Sequence, residues 1–437
     1  MKRVYIEKQK ELKIYGDYDV VVVGGGTAGV FAAISATEQG KKTLIVEQFG
    51  ALGGSATVGL VCPLMHSGVA GNPYNSYIGS RVAKKLIELG ATREMNEKNP
   101  RTFDPLVLNI ILEQMCVDAG VNVLMHTYFC DSIIEDGVVK GIIIENKAGR
   151  QVITGKVFID CTGDGDVAAL CGVPFDKGRE DNGLMQPVTV EFMVGGVDES
   201  RALFANVGTP ELKAKMQEYL ADGRVSFPVG LLILIEALEP HTAYVNMTNV
   251  IGVDPTNVFD MTRAELEARR QIPQIVRFLK ENVPGYENCC ALTSSAYAGV
   301  RESRRIRGRH TITVEEIKEA IRFEDWIVDG AMYHFGVHST AGTVKRPDDQ
   351  PKSENKRYTI PYGCFTPEGM KNLLVAGRCI SGDHYACSSY RVMPICFAMG
   401  EGVGTCAAYA FASGVDATSL TLEQIKEVQT LIKAGVM

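Results

Sequence analysis

Histidines in this sequence are the side chains best suited to proton transfer. His384 follows a Gly-Asp pair, and His338 lies in the run of residues 333–340. Imidazole titrates near neutral pH, so either histidine could donate or accept a proton during a reaction. His66 is a third candidate, and the other four histidines are assigned structural roles. A lone histidine is more often a hydrogen-bonded core or loop residue, and that alternative stays open for each candidate.

Arginines form a dense cluster after a Gly-Val turn. Its members are Arg301, Arg304, Arg305 and Arg307. On a helix, Arg301 and Arg305 would share one face, and Arg304 and Arg307 would share another. Guanidinium groups grip carboxylates in a bidentate fork, so one interpretation is a clamp for a carboxylate-bearing substrate. The alternative is a structural cluster that forms salt bridges with Glu302 and nearby acids.

A glycine finger near the N-terminus is typical of nucleotide binding. A strand at residues 19–23 is followed by Gly24, Gly26, Thr27, Ala28 and Gly29, then by a helical run to residue 40 and a second strand that ends at Glu47. The first glycine permits a tight turn, the second lets the backbone approach a pyrophosphate, and the third allows close packing of helix on strand. Helix N–H groups then hold the phosphates. Glu47 stands near the roughly 20-residue spacing expected for a carboxylate on a ribose hydroxyl.

Three later segments favour FAD over NAD as the dinucleotide. A loop of small residues, Gly53, Gly54 and Ser55, follows the second strand. An apolar strand at residues 156–160 runs into a turn with Gly163 and Asp164, and a strand at residues 372–376 runs into Gly377 and Arg378. An apolar helix is predicted over residues 392–411. A nucleotide-binding domain that is interrupted by an insert and completed near the C-terminus is typical of FAD-binding proteins. The sequence has no second glycine finger after a strand, so we do not expect a built-in NAD(P)H site.

Arg391 stands immediately before that C-terminal helix, which carries Pro394 in its first turn. Reduced flavin is readily anionic, so a helix N-terminus and a guanidinium would stabilise it at the ring. We hypothesise that Arg391 and this N-terminus face the flavin. The alternative is a surface arginine that flanks a helix.

The sequence resembles the FAD-dependent oxidoreductase family that is related to the flavoprotein subunit of heterodisulfide reductase. The resemblance covers nearly the whole chain, and its most specific parts are residues 300–308 and the block from Gly377 to Pro394. Thr27, in place of proline, and residues 401–403 depart from the family pattern. The resemblance implies an α/β fold, with a discontinuous, glutathione-reductase-like Rossmann domain for FAD and an inserted α+β cap. His384 and His338 match histidines common in the family, and Arg301 and Arg304 become the stronger candidates of their cluster.

Composition sets limits on the class of protein. The chain has 437 residues, which predicts two domains, and 46% hydrophobic and 22% charged residues, as in ordinary globular proteins. A net charge of -7 makes nucleic acid an improbable partner. The longest apolar run, residues 229–235, is too short to span a membrane, and the N-terminus lacks an apolar signal core. We therefore expect a cytoplasmic protein with a small-molecule substrate.

The twelve cysteines are scattered, and no CxxC motif occurs. We expect no disulfides, no metal site and no contiguous iron–sulfur ligand set. His334 and His338 have metal-ligand spacing, but Gly336 between them argues against a helix. If a cluster takes part in electron transfer, it would lie on a partner protein or use dispersed cysteines.

The order of motifs predicts four segments: an N-terminal arm at residues 1–17, the first FAD-binding part at 18–172, the cap at 173–357, and the second FAD-binding part with a C-terminal helix at 358–437. Within them we predict a helix at 103–120, strands at 121–124, 132–134 and 138–145, and a cap strand at 188–194. Cap helices are predicted at 211–220 and 262–281, another begins at Thr313, and 345–357 is an exposed loop.

These observations predict an FAD-dependent oxidoreductase that moves hydride or electrons between bound FAD and a small organic substrate, an anion if the arginines act as a clamp. The main alternative is an electron-transfer flavoprotein subunit that works with an iron–sulfur partner. A redox-inactive binding module is disfavoured because the finger, Glu47 and both later glycine turns are intact. A plain NAD-dependent dehydrogenase leaves the C-terminal return unexplained.

Overall fold

The computed structural model describes residues 7–65, 75–93, 101–204, 208–340, 351–352 and 355–435. His66 and most of the predicted loop at 345–357 lie outside these ranges. The strands are β1 Lys13–Val23, β2 Thr43–Val46, β3 Pro63–Leu64, β4 Arg101–Thr102, β5 Asn122–Leu124, β6 Tyr128–Glu135, β7 Val138–Asn146, β8 Gly149–Asp160, β9 Phe175–Lys177, β10 Phe192–Gly195, β11 Ile233–Glu236, β12 Thr242–Asn246, β13 Cys290–Ser294, β14 Arg304–Ile306, β15 Trp326–Ala331, β16 Tyr358–Pro361 and β17 Leu373–Val375. The α-helices are α1 Gly29–Glu38, α2 Tyr77–Glu88, α3 Pro105–Ala119, α4 Asp166–Leu170, α5 Pro210–Ala221, α6 Val258–Asn282, α7 Val314–Glu319, α8 His384–Tyr390, α9 Met393–Ser413 and α10 Leu422–Ala434.

The central sheet is parallel, with the order β5-β2-β1-β8-β17. Val20 pairs with Thr43 on one side and with Val157 on the other. The valines of β1 are buried on both faces, as the continuous apolar run of a covered parallel strand requires. This is the predicted Rossmann-like layer, and β17 completes it from the far end of the chain.

Strand β8 pairs with β1 along one side and has two further partners along the other. Its first half pairs antiparallel with β7, which in turn pairs with β6, while residues Phe158, Ile159 and Asp160 pair parallel with β17. Asp136 and Gly137 turn β6 into β7 with positive φ angles of 50° and 77°, which suits a tight hairpin. The predicted hairpin insert is confirmed.

Helix α9 packs directly on α1 in the middle of the main core. A Cβ on Gly400 or Gly404 would overlap a carbonyl oxygen of α1, so these glycines allow the two backbones to touch. Phe31 and Phe397 stack with ring centroids 4.3 Å apart. In the described part of the chain, α9 is the one helix long and apolar enough to span a membrane, and 83% of its apolar window is buried inside the molecule.

Glu401 ties α9 to the start of α2. The carboxylate accepts from the Ser76 hydroxyl and from the Ile78 N–H at 3.3 Å. Burial raises the pKa of Glu401 to about 7, although these hydrogen bonds act in the opposite direction. The departure from the family pattern at this position therefore introduces a buried acid at a helix–helix contact.

The cap has a core of its own. Strands β10 to β13 form an antiparallel sheet in the order β11-β12-β10-β13, and Phe192, Met216 and Phe278 pack between this sheet and helices α5 and α6. Both cap helices are confirmed. The predicted strand at 188–194 is found in part, because β10 begins at Phe192 and Val188 and Thr189 form only isolated bridges.

Two segment limits differ from the sequence expectation. Strand β1 begins at Lys13, inside the predicted arm, because its first residues pair with Gln151 and Val152 of the long strand β8. The main core already includes Ile306, Ile327 and Phe335, so the chain returns to the FAD-binding layer well before residue 358.

Residues 301–307 do not form a helix, so the shared faces that a helix would give the arginines are not found. Arg304, Arg305 and Ile306 form β14, antiparallel to β9. Adjacent strand residues point to opposite faces, so the arginines of the cluster diverge instead of sharing helix faces. Pairing with the distant segment Phe175–Lys177 decides this conformation.

Candidate functional site

The turns predicted to bind the dinucleotide meet at one edge of the sheet. Strands β1, β2, β8 and β17 are parallel, so their carboxyl ends lie together, which is where α/β sheets bind ligands. Gly26 forms a bridge with Gly53. A Cβ on Gly163 would lie 2.8 Å from Nη2 of Arg378, and a Cβ on Gly377 would lie 3.2 Å from that of Ala28.

The finger has the geometry expected of its three glycines. Gly24 has a φ of +98°, and a Cβ there would overlap the backbone of Cys161. A Cβ on Gly29 would overlap the carbonyl oxygen of Gly24. By contrast, a Cβ on Gly26 would meet no atom within 4 Å. The finger therefore leaves an opening at the position where a pyrophosphate must approach the backbone.

Two helices begin at this edge without a side-chain cap. The N-cap of α1 is Ala28 and that of α9 is Val392, and neither side chain accepts a bond from the first turn. By contrast, α3 and α8 begin with aspartate caps. Uncapped N–H groups and the helix dipole suit phosphate or an anionic ring. This arrangement, together with the opening at Gly26, fits a dinucleotide.

Glu47 lies directly after β2 and is 5% exposed. Its carboxylate accepts from the N–H of Gly25 at 2.6 Å and of Phe49 at 2.8 Å. Burial raises its pKa, partly offset by these bonds. Tyr297 stacks on Phe49 with centroids 4.8 Å apart, and its hydroxyl interacts with Ser55. Tyr297 thus brings a residue of the predicted cap onto the nucleotide edge, and no sequence motif indicated it.

Asp164 and Arg378 form an ion pair of 3.0 Å between the second and third glycine turns. Ser303 donates to Asp164 at 2.6 Å and accepts from Arg378 at 2.6 Å. Arg304 binds the Asp166 carboxylate at 2.7 Å. Arg304 therefore contacts the turn that follows β8, and it has no hydrogen-bond partner in common with Arg301.

Arg301 and Arg391 are drawn into one cluster under the cap. Arg301 is 8% exposed and donates to the Pro187 carbonyl at 2.8 Å, to Thr189 and to Asn246. Burial and the positive charge of Arg391 lower the pKa of Arg301. Burial also lowers the pKa of Arg391. Both shifts arise mainly from burial of a cation away from water, and for Arg301 the nearby charge of Arg391 adds to the effect.

Gln186 connects Arg391 to both predicted histidines. Its Oε1 accepts from Arg391 Nη2 at 3.4 Å and from the His338 N–H at 3.3 Å. The backbone N–H of Gln186 donates to Glu302 at 3.1 Å, and Glu302 also accepts from His384 Nδ1 at 2.9 Å. His384 and Glu302 are fully buried. No sequence motif indicated Gln186.

Glu191 is a buried acid that the sequence motifs did not indicate. It accepts from Asn246 Nδ2 at 2.7 Å, and Asn246 in turn accepts from Arg301. Burial raises the pKa of Glu191, and the positive charge of Arg301 acts against this shift. The one signal available was a carboxylate inside the apolar run at 188–194.

The remaining arginines have structural partners. Arg305 pairs with Glu302 and also donates to the carbonyls of Gly178 and Gly382. Arg307 pairs with Asp176 at 2.8 Å on the surface. For these two residues the salt-bridge alternative describes the observed contacts.

Comparison with known proteins identifies the family to which the chain belongs. A family model described as FAD dependent oxidoreductase matches residues 19–432. The chain belongs to the FAD-dependent oxidoreductase family, and FAD is its cofactor. This confirms the cofactor and the enzyme class predicted from the finger and the C-terminal return.

Curated relatives match a part of the chain. Thiamine thiazole synthase of Methanococcus aeolicus is 31% identical over 179 residues, which cover 39% of this chain and 63% of the relative. Digeranylgeranylglycerophospholipid reductase of Methanosphaerula palustris is 27% identical over 168 residues, 36% of this chain and 41% of the relative. The chain thus spans less than two thirds of the length of these relatives.

Solved structures share the fold over most of the chain. p-Nitrophenol 4-monooxygenase from Pseudomonas putida has a TM-score of 0.54 and 11% identity, with 96% of this chain and 88% of that chain covered. A triple mutant of the flavin-dependent brominase Bmp2 has a TM-score of 0.51 and 13% identity, with 94% of this chain and 84% of that chain covered. These likenesses establish the α/β FAD-binding fold with an inserted cap.

Proposed function

We propose that this FAD-dependent oxidoreductase acts on a small organic anion, with Arg301 and Arg391 as the groups that bind it. One observation carries the proposal: two neighbouring, largely buried guanidiniums donate only to neutral oxygens. Arg391 donates to the carbonyl of Gly336 at 3.2 Å and to Gln186. Among the described residues, neither arginine forms an ion pair.

The energetics favour an anion between these groups. A buried charge without a partner costs several kcal/mol, and a carboxylate accepted by a guanidinium fork removes much of that cost. Arg391 Nε and Gln186 Nε2 are buried and have no hydrogen-bond acceptor. Each unsatisfied donor costs about 1–3 kcal/mol. A carboxylate offers acceptor sites for both.

The cofactor would lie beside the cluster of Arg301 and Arg391, at the carboxyl ends of the parallel strands. We assign the pyrophosphate to the finger and the start of α1, the ribose to Glu47, and the remaining contacts to the turns at Gly53, Gly163 and Gly377. FAD supplies a two-electron acceptor at this edge. Arg391 precedes α9, whose uncapped N-terminus lies at the same edge, so an anion bound by Arg391 would lie next to the cofactor.

Binding and reduction by matched acids and amides test the proposal. Small carboxylic acids that carry an oxidisable C–H should bleach the flavin absorption of the anaerobic protein, and their primary amides should not. The variant Arg391→Gln should raise the Kd of an acid about 10- to 100-fold, as expected for a charge-assisted bond. Arg307→Gln, which removes an exposed arginine paired with Asp176, is the matched control.

The results distinguish this proposal from electron transfer. Equal binding of acids and amides would contradict an anionic substrate. Reduction by an iron–sulfur protein, with no response to any small acid, would instead support a flavoprotein subunit like that of heterodisulfide reductase. That closer kinship rests on the motifs at residues 300–308 and 377–394.

A further inference from the structure

His384 is held by a buried carboxylate whose charge is itself compensated. Glu302 Oε1 accepts from His384 Nδ1 at 2.9 Å and from Arg305, and Glu302 Oε2 accepts from the N–H of Gln186 at 3.1 Å. The side chains of His384 and Glu302 have no exposed surface, and that of Arg305 is 3% exposed. The paired guanidinium gives the Glu302 carboxylate a charge-assisted partner, which offsets part of the cost of its burial.

This contact fixes the tautomer of the neutral imidazole. An ionised carboxylate can only accept hydrogen bonds, so Nδ1 must carry the proton that points at Glu302. In neutral histidine the other nitrogen, Nε2, then presents a lone pair. Nε2 of His384 is buried and has no hydrogen-bond partner.

The unpartnered nitrogen needs an explanation, because a buried polar atom without a partner is costly. The charged groups around His384 are Glu302 and, through the Gln186 bridge, Arg391; Arg305 lies behind the carboxylate. The Tyr385 ring meets the imidazole edge to face, with centroids 5.1 Å apart. None of these groups supplies a hydrogen to Nε2, so its lone pair is available to a bound molecule.

We propose that His384 Nε2 accepts a proton from an O–H or N–H group of the substrate, and that Glu302 is the positioning residue that holds the imidazole for this step. The inference rests on the proposed function, because the same substrate is held by Arg301 and Arg391. Its hydrogen on carbon leaves with two electrons for FAD, its O–H or N–H proton goes to Nε2, and a C=O or C=N bond forms. Glu302 stabilises the imidazolium that results.

Tautomer measurement tests the arrangement without turnover. In protein labelled with ¹⁵N-histidine, we expect the His384 spectrum of a neutral ring with a proton on Nδ1 and none on Nε2. His384→Asn identifies the signal by removing it. Glu302→Gln should abolish the strong preference for this tautomer. A proton found on Nε2 of the neutral ring in the wild-type protein would overturn the proposal.

Rapid-reaction kinetics test the proton transfer. Asparagine can still donate to Glu302 but has no atom at the Nε2 position, so His384→Asn should slow flavin reduction by an acid about 100-fold or more, with the Kd of FAD and of the acid changed less than threefold. Glu302→Gln should slow it less, and Glu302→Asp should recover part of the rate. Imidazole added to His384→Ala should also restore part of the rate.

Each failure has a distinct signature. If His384→Asn reduces flavin at the wild-type rate, or loses FAD while the fold persists, the proton-accepting role is wrong. If no acid reduces the wild-type flavin, the proposed function and the proton transfer both fail. The tautomer then still shows whether Glu302 orients His384 as inferred.

Discussion

At the scale of single residues, the finger contains two glycines with opposite surroundings. Gly29 lies against the backbone of Gly24, and Gly26 borders open space. The same substitution therefore separates a role in packing from a role in cofactor binding. The motif alone assigned both roles, and the structure makes them testable side by side.

We expect Gly26→Ala to fold normally and to bind FAD at least tenfold more weakly, because its methyl group occupies the approach of the pyrophosphate. Gly29→Ala should lose stability in the absence of FAD, because its methyl group would overlap the Gly24 carbonyl. Thermal unfolding of both apoproteins and FAD titration by fluorescence measure these effects. A stable Gly29→Ala apoprotein would contradict the packing argument.

Glu47 provides a second prediction at this scale. Glu47→Gln retains an acceptor but loses the charge that binds the N–H groups of Gly25 and Phe49. Hydrogen bonds to a charged group contribute about 1.5–3 kcal/mol. We therefore expect the Kd of FAD to rise about 10- to 100-fold. Glu319→Gln, at an exposed position of α7, should leave the Kd unchanged.

At the scale of elements, sequence reasoning works where contacts are local. The finger, α1 and Glu47 fall within one βαβ unit, and the Thr313 cap of α7 involves Glu316 three residues on. Pairings between segments that are distant in the sequence are not predicted in this way. Strand β14 exists because of Phe175–Lys177, and Glu302 meets Gln186 from a remote part of the chain. The sequence indicated that Glu302 could form a salt bridge with a neighbouring arginine, but it did not indicate the contacts with Gln186 and His384.

Glu401 gives the contact between α9 and α2 a dependence on pH. Its pKa of about 7 lies above the ordinary value of 4.5, so its contribution to stability is present below pH 4.5 and is lost as pH rises through 7. When the pH is raised from 5 to 8.5, the unfolding free energy of the wild type should fall by about 2–3 kcal/mol more than that of Glu401→Gln, which has no ionisable group at this position. Urea unfolding at both pH values measures this difference, and Glu319→Gln should show none.

At the scale of the whole molecule, two cores meet across the candidate site. The cap core contains Phe192 and Phe278, and the main core contains the finger and α9. Ser303, Arg301 and Tyr297 join the two, because they follow the cap strands and contact the nucleotide edge or the arginine cluster. Such junctions depend on the full fold, which is why the sequence predicted the FAD edge better than the substrate side.

Stability should respond to the cofactor mainly through the main core. FAD at about 100 times its Kd should add about 2.7 kcal/mol to the unfolding free energy of the part that binds it. Calorimetry should therefore show an upward shift of the main-core transition when FAD is added. Gly26→Ala, at the same FAD concentration, should show a much smaller shift. An equal shift in both proteins would contradict the assigned pyrophosphate position.

The parallel sheet is completed by β17, and α9 covers it from the last part of the chain. During synthesis, the cap core, drawn from residues 192–289, emerges from the ribosome before either element. Domains generally fold as units on the growing chain. The cap can therefore reach its structure early, while β1, β2 and β8 wait for their last partners. Capture of FAD then follows the synthesis of β17 and α9, which couples cofactor supply to the appearance of these two elements.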